Sequence, residues 1–149
     1  MSERHDLQRF RDAQAGGTYE RALAELRAGD KTGHWMWFVF PQLDGLGRSP
    51  TARHYAIASL SHAREYLSDP LLGPRLRACC EALLALPPDA SAERVLGPID
   101  TLKLRSSMTL FARASGEGGE GELFRAVLAR FYEGAEDDAT IRLLEADAG

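Results

Sequence analysis

The segment best suited to chemistry is an aromatic run bracketed by polar side chains, GHWMWFVFPQ at residues 33–42. His34 can give or take a proton near neutral pH, which makes it a candidate catalytic acid or base. Trp35 and Trp37 could stack on a nucleobase or a nicotinamide-like ring, and Gln42 could hydrogen-bond to an amide or base edge. Alternatively, both tryptophans belong to the core, His34 is a buried and hydrogen-bonded histidine, and Gln42 closes a turn.

A second candidate lies on a helix predicted over residues 99–111. Lys103, Ser106 and Ser107 follow at spacings of three and four, so they lie close together on a helix. A lysine with two hydroxyls is suited to holding phosphate or carboxylate. Alternatively, Lys103 pairs with an internal carboxylate such as Asp100, and the serines bond back to the helix backbone.

Two single residues complete the candidate set. Lys31 precedes the aromatic run and would add a second cation for a phosphate. Glu65, with Tyr66 on another predicted helix, could supply an acid, although an exposed helical pair is the simpler explanation. The loop at residues 45–49 lacks the spacing of a nucleotide-binding glycine loop. The remaining three histidines lack metal-ligand spacing, so the sequence predicts no metal site and no cofactor.

Length and composition limit the class of protein. A chain of 149 residues is predicted to form one domain, residues 1–149. The net charge of −4 gives no support for a broad nucleic-acid or membrane footprint. The chain shows no apolar leader, and its longest apolar run is six residues, so a cytoplasmic protein is expected. The oligomeric state is left open.

The apolar spacing indicates helices throughout. The clearest stripe is in a helix predicted over about 70–86, with steps of four, three, four and three; its members are Leu72, Leu76, Cys79, Leu83 and Leu86. Cys79 is therefore expected to pack in the core. The predicted fold is all-α, a compact bundle of about seven or eight short-to-medium helices.

Three connecting segments carry their own predictions. The aromatic run is expected to be a short buried helix or an extended link. Ser49-Pro50 is expected to start a helix that continues through Tyr55, Ile57 and Leu60, and Ser61 to cap the next. The glycine-rich stretch at about 115–121 is expected to be a flexible loop.

Two segments carry a family resemblance: HWMWFVFPQ at residues 34–42 and KLRSSMTLF at residues 103–111. From about residue 6 to residue 144, the chain resembles a bacterial family of unknown function, the domain-of-unknown-function family 1810, often labelled calpastatin in genomes. The resemblance implies a mainly α-helical domain and no established activity. More distantly, the chain is similar to the YbiA-type group associated with NAD and ADP-ribose derivatives, for whose glutamate Glu65 is the best candidate.

Three functions are compatible with these residues. The first is a hydrolase of a nucleotide or ADP-ribose-like N-glycoside. Its base would stack on Trp35 or Trp37, its phosphate would lie on Lys31, Lys103 and Ser107, and His34 or Glu65 would transfer the proton. The second is a non-catalytic module for a small anion. The third is a structural or interaction domain whose aromatic residues are all core. The first two require Lys31, His34 and Lys103 to converge, although they are separated by up to 72 positions.

Overall fold

Ten α-helices and one short 3-10 helix make up the part of the chain that the computed structural model describes, residues 6–116 and 118–148. They are α1 (Gln8–Gln14), α2 (Thr18–Ala28), α3 (Met36–Val39), α4 (Pro50–His54), α5 (Leu60–Ser68), α6 (Leu72–Leu84), α7 (Ala92–Leu96), α8 (Asp100–Ser115), the 3-10 helix Gly119–Gly121, α9 (Glu122–Tyr132) and α10 (Asp138–Ala148). These residues form no β-strand, which confirms the all-α prediction. The helix count of these residues exceeds the predicted seven or eight, and three of the ten helices, α3, α4 and α7, have only four or five residues each.

The helix predicted through Tyr55 and Ile57 is wrong beyond His54, where α4 ends. Ile57 instead forms an isolated parallel bridge with Leu43. The amide N of Ile57 donates to the carbonyl of Gln42, and its carbonyl accepts from Asp44 N, each at 2.8 Å. A buried β-branched residue suits such an extended position, and these contacts between distant parts of the chain replace the helical bonds.

The start of α5 also differs from the sequence prediction. Ser59, not Ser61, is its N-cap, and the Ser59 hydroxyl accepts from His62 N at 3.1 Å. Helix α5 therefore begins two residues earlier than predicted, because the extended link after α4 places Ser59 in a backbone conformation typical of an N-cap.

The helix predicted over about 70–86 is confirmed, with narrower bounds at Leu72–Leu84. Its start is fixed by Asp69, whose Oδ2 accepts from the amides of Leu71 (3.0 Å) and Leu72 (2.9 Å). Gly73 allows α6 to approach α5 closely, because a Cβ there would lie 2.1 Å from the carbonyl oxygen of Leu67. Cys79 is fully buried as predicted, and burial raises the pKa of its thiol to about 12.

Helix α8 is the central element of the bundle. Helices α5, α7, α9 and α10 all pack against it. A row of aromatic rings crosses the core at this level, with centroids 5.3 Å apart for Phe10 and Tyr66, 5.4 Å for Tyr66 and Phe111, and 5.9 Å for Phe111 and Phe124. The row ties α1, α5, α8 and α9 together, so the position of α8 is fixed by the core.

The aromatic run becomes the short helix α3, which packs on α1. The carbonyl of Phe38, within α3, accepts from Gln14 Nε2 at 2.8 Å and from the Tyr66 hydroxyl at 3.2 Å. Gln14 and Tyr66 are both buried. Buried polar groups must be hydrogen-bonded, so this network anchors α3 between α1 and α5.

In the described ranges, no helix combines the length and the apolar character that crossing a bilayer requires. The longest, α8, has 16 residues.

We expect Tyr66→Phe to destabilise the fold by about 1–2 kcal/mol, because the Phe38 carbonyl and the Gln14 amide each lose a buried partner. The thermal midpoint should fall by roughly 2–8 °C in calorimetry. The control is Tyr19→Phe, which keeps the ring that stacks on the Arg75 guanidinium at 4.4 Å and should change stability by less than about 0.5 kcal/mol. Equal midpoints for the two variants would contradict the anchoring role.

Candidate functional site

One aspartate brings together two lysines that are 72 positions apart in the chain. Lys31 Nζ lies 2.8 Å from Asp100 Oδ2, and Lys103 Nζ lies 3.5 Å from Asp100 Oδ1. The side chains of Lys31, Lys103 and Asp100 are 9%, 21% and 18% exposed. Partly buried charges are screened less by salt than exposed ones. Two ammonium groups and one carboxylate leave one surplus positive charge at this point.

The first turn of α8 supplies two of these three residues. Asp100 is its first residue, and Lys103 follows one turn later, so their side chains lie side by side. Ahead of them, Gly97 has φ +96° and ψ 166°, a conformation almost confined to glycine. This turn redirects the chain from α7 into α8 and sets the direction in which Asp100 emerges.

Lys31 lies in the loop after α2, and both its backbone amide and its side-chain ammonium group make hydrogen bonds. Its amide N donates to the carbonyl of Val95 at 2.9 Å, which fixes the loop against α7. Its Nζ donates to the carbonyl of Gly33 at 2.6 Å in addition to pairing with Asp100. The loop therefore presents the ammonium group in one orientation.

Glu25 holds this loop, and the sequence analysis missed it. Its Oε1 accepts from Thr32 N at 2.8 Å, Gly33 N at 2.9 Å and Trp35 Nε1 at 2.9 Å. Partial burial alone would raise the pKa of Glu25, but these hydrogen bonds outweigh it and lower the pKa to about 2. A sequence signal exists: an acidic residue in the last turn of a helix is unfavourable to the helix dipole and needs another reason to be there.

The two tryptophans have different environments. Trp35 is 2% exposed and donates a hydrogen bond to Glu25, so it belongs to the core, as the second of the two predictions for the tryptophans proposed. Trp37 is only half-buried, and Lys103 Nζ lies 4.5 Å from its ring centroid, a cation–π contact. Lys31 Nζ lies 5.1 Å from the Trp35 ring. Of the two rings predicted to stack a ligand, only Trp37 borders an open space.

That space is a cleft of about 300 Å³ between the loop after α2, helix α3 and the start of α8. It is lined by Lys31, His34, Met36, Trp37, Leu96, Gly97, Pro98, Ile99, Asp100 and Lys103. Lys31, His34 and Lys103 therefore converge. His34 is exposed, which excludes the alternative of a buried histidine. The volume lies at the small end of the range for ligand pockets.

Two predicted residues lie away from this cleft. Gln42 borders a separate, very small cavity next to Trp37, and its carbonyl accepts from Ile57 N. Glu65 is an exposed residue of α5, outside the residues that line the cleft. The structure thus does not place a carboxylate from position 65 beside Lys31 and Lys103.

The two serines of α8 are also separate from the cleft lining. Ser106 donates to Asp137 Oδ2 at 3.0 Å and to the carbonyl of Leu102 at 3.2 Å, so its hydroxyl faces the link to α10. Ser107 is fully buried, and its hydroxyl has no hydrogen-bond partner among the residues described. Lys103 is therefore the only one of the three predicted anion ligands on α8 that lines the cleft.

A larger cavity of about 730 Å³ lies beside the second half of α8 and α9, with no predicted site residue in its wall. Arg113 and Glu136 form a bidentate pair across it at 2.7 and 2.8 Å, and Arg113 lowers the pKa of the Glu136 carboxyl. Arg125 donates to the carbonyls of Gly116 and Gly118. Both guanidinium groups are thus hydrogen-bonded within the wall, to a carboxylate or to backbone carbonyls. The lysine cleft is the stronger candidate because residues predicted from the sequence converge there.

A composition signal for the cleft was also present in the sequence. The chain has sixteen arginines and only two lysines, and both lysines are in the cleft. Lysine carries a compact ammonium group, whereas arginine presents a broad planar fork, so the two are not interchangeable at a small site. No group of three or more His, Cys, Asp or Glu side chains in the described part of the chain is arranged to hold a metal ion.

Comparison with known proteins identifies the family. The chain matches the model for "Protein of unknown function (DUF1810)" over residues 4–144, and it belongs to that family. It is similar to the crystal structure of the conserved hypothetical protein Rv1873 from Mycobacterium tuberculosis, with 52% identity over 95% of this chain and 97% of that chain, and a TM-score of 0.89. No curated protein matches it. The predicted membership in family 1810 is confirmed, and the resemblance to YbiA-type proteins stays a prediction.

The role of Glu25 predicts a pH-dependent loss of stability. Its folded-state pKa of about 2 lies below the ordinary value of 4.5, so its ionised form stabilises the fold fully above about pH 4.5. That contribution is lost as the pH falls from 4.5 towards 2. At pH 7 the free energy of unfolding should be about 1–3 kcal/mol lower in Glu25→Gln than in the natural protein. The difference should shrink by pH 3 in urea denaturation.

The control for this experiment is Glu81→Gln, an exposed position of α6 that should change stability by less than about 0.5 kcal/mol at either pH. A difference between Glu25→Gln and the natural protein that is constant from pH 7 to pH 3 would rule out this account of Glu25.

Proposed function

We propose that this member of the DUF1810 family is a binding module for a small anion, which Lys31 and Lys103 hold in the cleft. The observation that carries the proposal is the sharing of one carboxylate, Asp100, by the chain's two lysines. The surplus positive charge lies in a partly buried cleft, where an attraction between charges is stronger than at an open surface. A carboxylate or phosphate oxygen entering the cleft would find ammonium donors that the fold has already oriented.

The contacts of the charged groups favour binding over covalent catalysis. Lys31 Nζ donates to Asp100 and to the Gly33 carbonyl, and these two contacts hold it in place as a hydrogen-bond donor. Asp100 faces both lysines and serves as their counter-ion. These residues are therefore suited to attracting and orienting an anion.

A hydrolase of an N-glycoside is the second candidate, and one observation favours it. His34 lines the same cleft as both lysines and is exposed to solvent, so it could transfer a proton to a bound ligand. The nucleotide-like ligand of this hypothesis would stack on Trp37. Because Lys103 Nζ lies over that ring, stacking on this face requires Lys103 to move aside.

A cytoplasmic location is part of the proposal. Cys79 and Cys80 are free and buried, and free thiols are typical of proteins in a reducing compartment.

Selective labelling tests the binding site directly. With ¹⁵N-lysine, the backbone spectrum contains only the amides of Lys31 and Lys103, because the chain has no other lysine. Titration with acetate or phosphate at constant ionic strength should shift both signals along one saturable curve. Lys103→Gln should weaken binding about tenfold or more, because it removes a charge-assisted hydrogen bond.

The matched control is Arg94→Gln, which removes a positive charge from an exposed position of α7 outside the cleft lining. It should leave the affinity nearly unchanged, as measured by following the Lys31 amide signal. Shifts that do not saturate, or equal affinities for the two variants, would refute anion binding at this cleft.

A turnover assay separates the two candidate functions. The natural protein is incubated with NAD, ADP-ribose and nucleotides, and the products are separated by chromatography. We expect no product, and we expect His34→Gln to keep its anion affinity within about threefold. Product formed by the natural protein but reduced 10²–10⁴-fold in His34→Gln, the usual range for loss of a general acid or base, would replace the binding proposal with the hydrolase.

A further inference from the structure

Two aliphatic side chains stand exposed beside the charged cleft. Ile99 is 68% exposed and Leu102 is 62% exposed, whereas Leu71, the residue before α6, is 38% exposed. Ile99 is the N-cap of α8, and Leu102 lies three positions later and Lys103 four positions later, so both are neighbours of Ile99 on the helix surface. Ile99 itself lines the cleft. An apolar surface rimmed by charged groups is typical of a place where another molecule docks.

We propose that the cleft receives the C-terminal carboxylate of a peptide or protein whose last residue has an aliphatic side chain. This inference rests on the proposed function, that the cleft binds an anion. The carboxylate would lie between Lys31 and Lys103, and the final side chain would cover Ile99 and Leu102. Capture of a chain end by its carboxylate is a recurring mode of peptide recognition.

The charge of the cleft matches a carboxylate better than a phosphate. Lys31, Lys103 and Asp100 leave one surplus positive charge, which a singly charged carboxylate neutralises. A phosphate monoester carries about −1.5 to −2 at pH 7, so its second charge would face Asp100 without a matching cation. A free inorganic anion would also gain nothing from contact with the exposed side chains of Ile99 and Leu102.

The apolar part of the site matches one short side chain. Its exposed aliphatic part consists of Ile99 and Leu102, next to a cleft of about 300 Å³ that Met36, Trp37 and Leu96 also line. The terminal residue of a peptide carries a carboxylate and one small aliphatic group close together, which matches two lysines beside two exposed aliphatic side chains.

The ¹⁵N-lysine spectrum can rank four matched ligands. They are acetyl-Gly-Leu as the free acid, the same dipeptide as its amide, acetyl-Gly-Gly as the free acid, and inorganic phosphate. We expect the free acid ending in Leu to bind most tightly. Its amide should bind at least about tenfold more weakly, because the charge is lost. The dipeptide ending in Gly should bind at least about threefold more weakly, because the apolar contact is lost.

The apolar contact is tested by the double variant Ile99→Ser, Leu102→Ser. It should abolish the preference for Leu over Gly and keep the preference for the acid over the amide. The control is Leu71→Ser, which replaces the exposed leucine at the start of α6 and should leave both preferences intact.

Each other outcome overturns a distinct claim. Equal binding of acid and amide, or of the peptides ending in Leu and Gly, overturns the assignment of a chain end. Binding of phosphate with no binding of either free acid overturns this inference and leaves the anion site standing. No response to any of the four ligands overturns both.

Discussion

The carboxylate of Glu25 is the contact on which the arrangement of the cleft depends. The loop after α2 contains polar and aromatic residues. Three of its N–H groups, the amides of Thr32 and Gly33 and the indole of Trp35, all donate to Glu25 Oε1. Because three donors converge on one charged acceptor, the loop has little freedom. Lys31, His34 and Trp37 are all presented by this stretch, so a side chain outside the cleft determines its shape.

The second half of the cleft depends on a different property of the fold. Helix α8 is buried along most of its length, and its first turn, with Leu102 exposed and Asp100 and Lys103 partly buried, lies at the edge of the core. Packing in the core therefore fixes the axis of the helix. Because Asp100 and Lys103 are residues of this helix, their positions are fixed with it. The cleft is the meeting of one segment held by hydrogen bonds and one held by apolar packing.

Local patterns in the sequence were enough for much of the fold and for part of the site. The stripe through Leu76 and Cys79 predicted α6, and the run at 34–42 contains three of the residues that line the candidate cleft. Local reasoning failed at Ile57, where a contact with the segment at Gln42 replaces a helical bond. It also grouped Ser106 with Lys103, because spacing along a helix predicts which residues are neighbours on that helix. Spacing does not predict hydrogen bonds to other segments, and Ser106 donates to Asp137. The pairing of Lys31 with Asp100 is a long-range contact of the same kind, so only the fold could reveal it.

The scarcity of lysine has a practical meaning for the chemistry of this surface. Sixteen guanidinium groups supply nearly all of its positive charge, and these do not react as amines at neutral pH because they stay protonated. Reagents that acylate or couple amines therefore find, apart from the α-amino group, only the two ammonium groups of the cleft. Acylation of either would convert a cation into a neutral amide and remove the one surplus positive charge of the cleft. The molecule thus confines its entire lysine chemistry to one place, where a single modification changes what the cleft attracts.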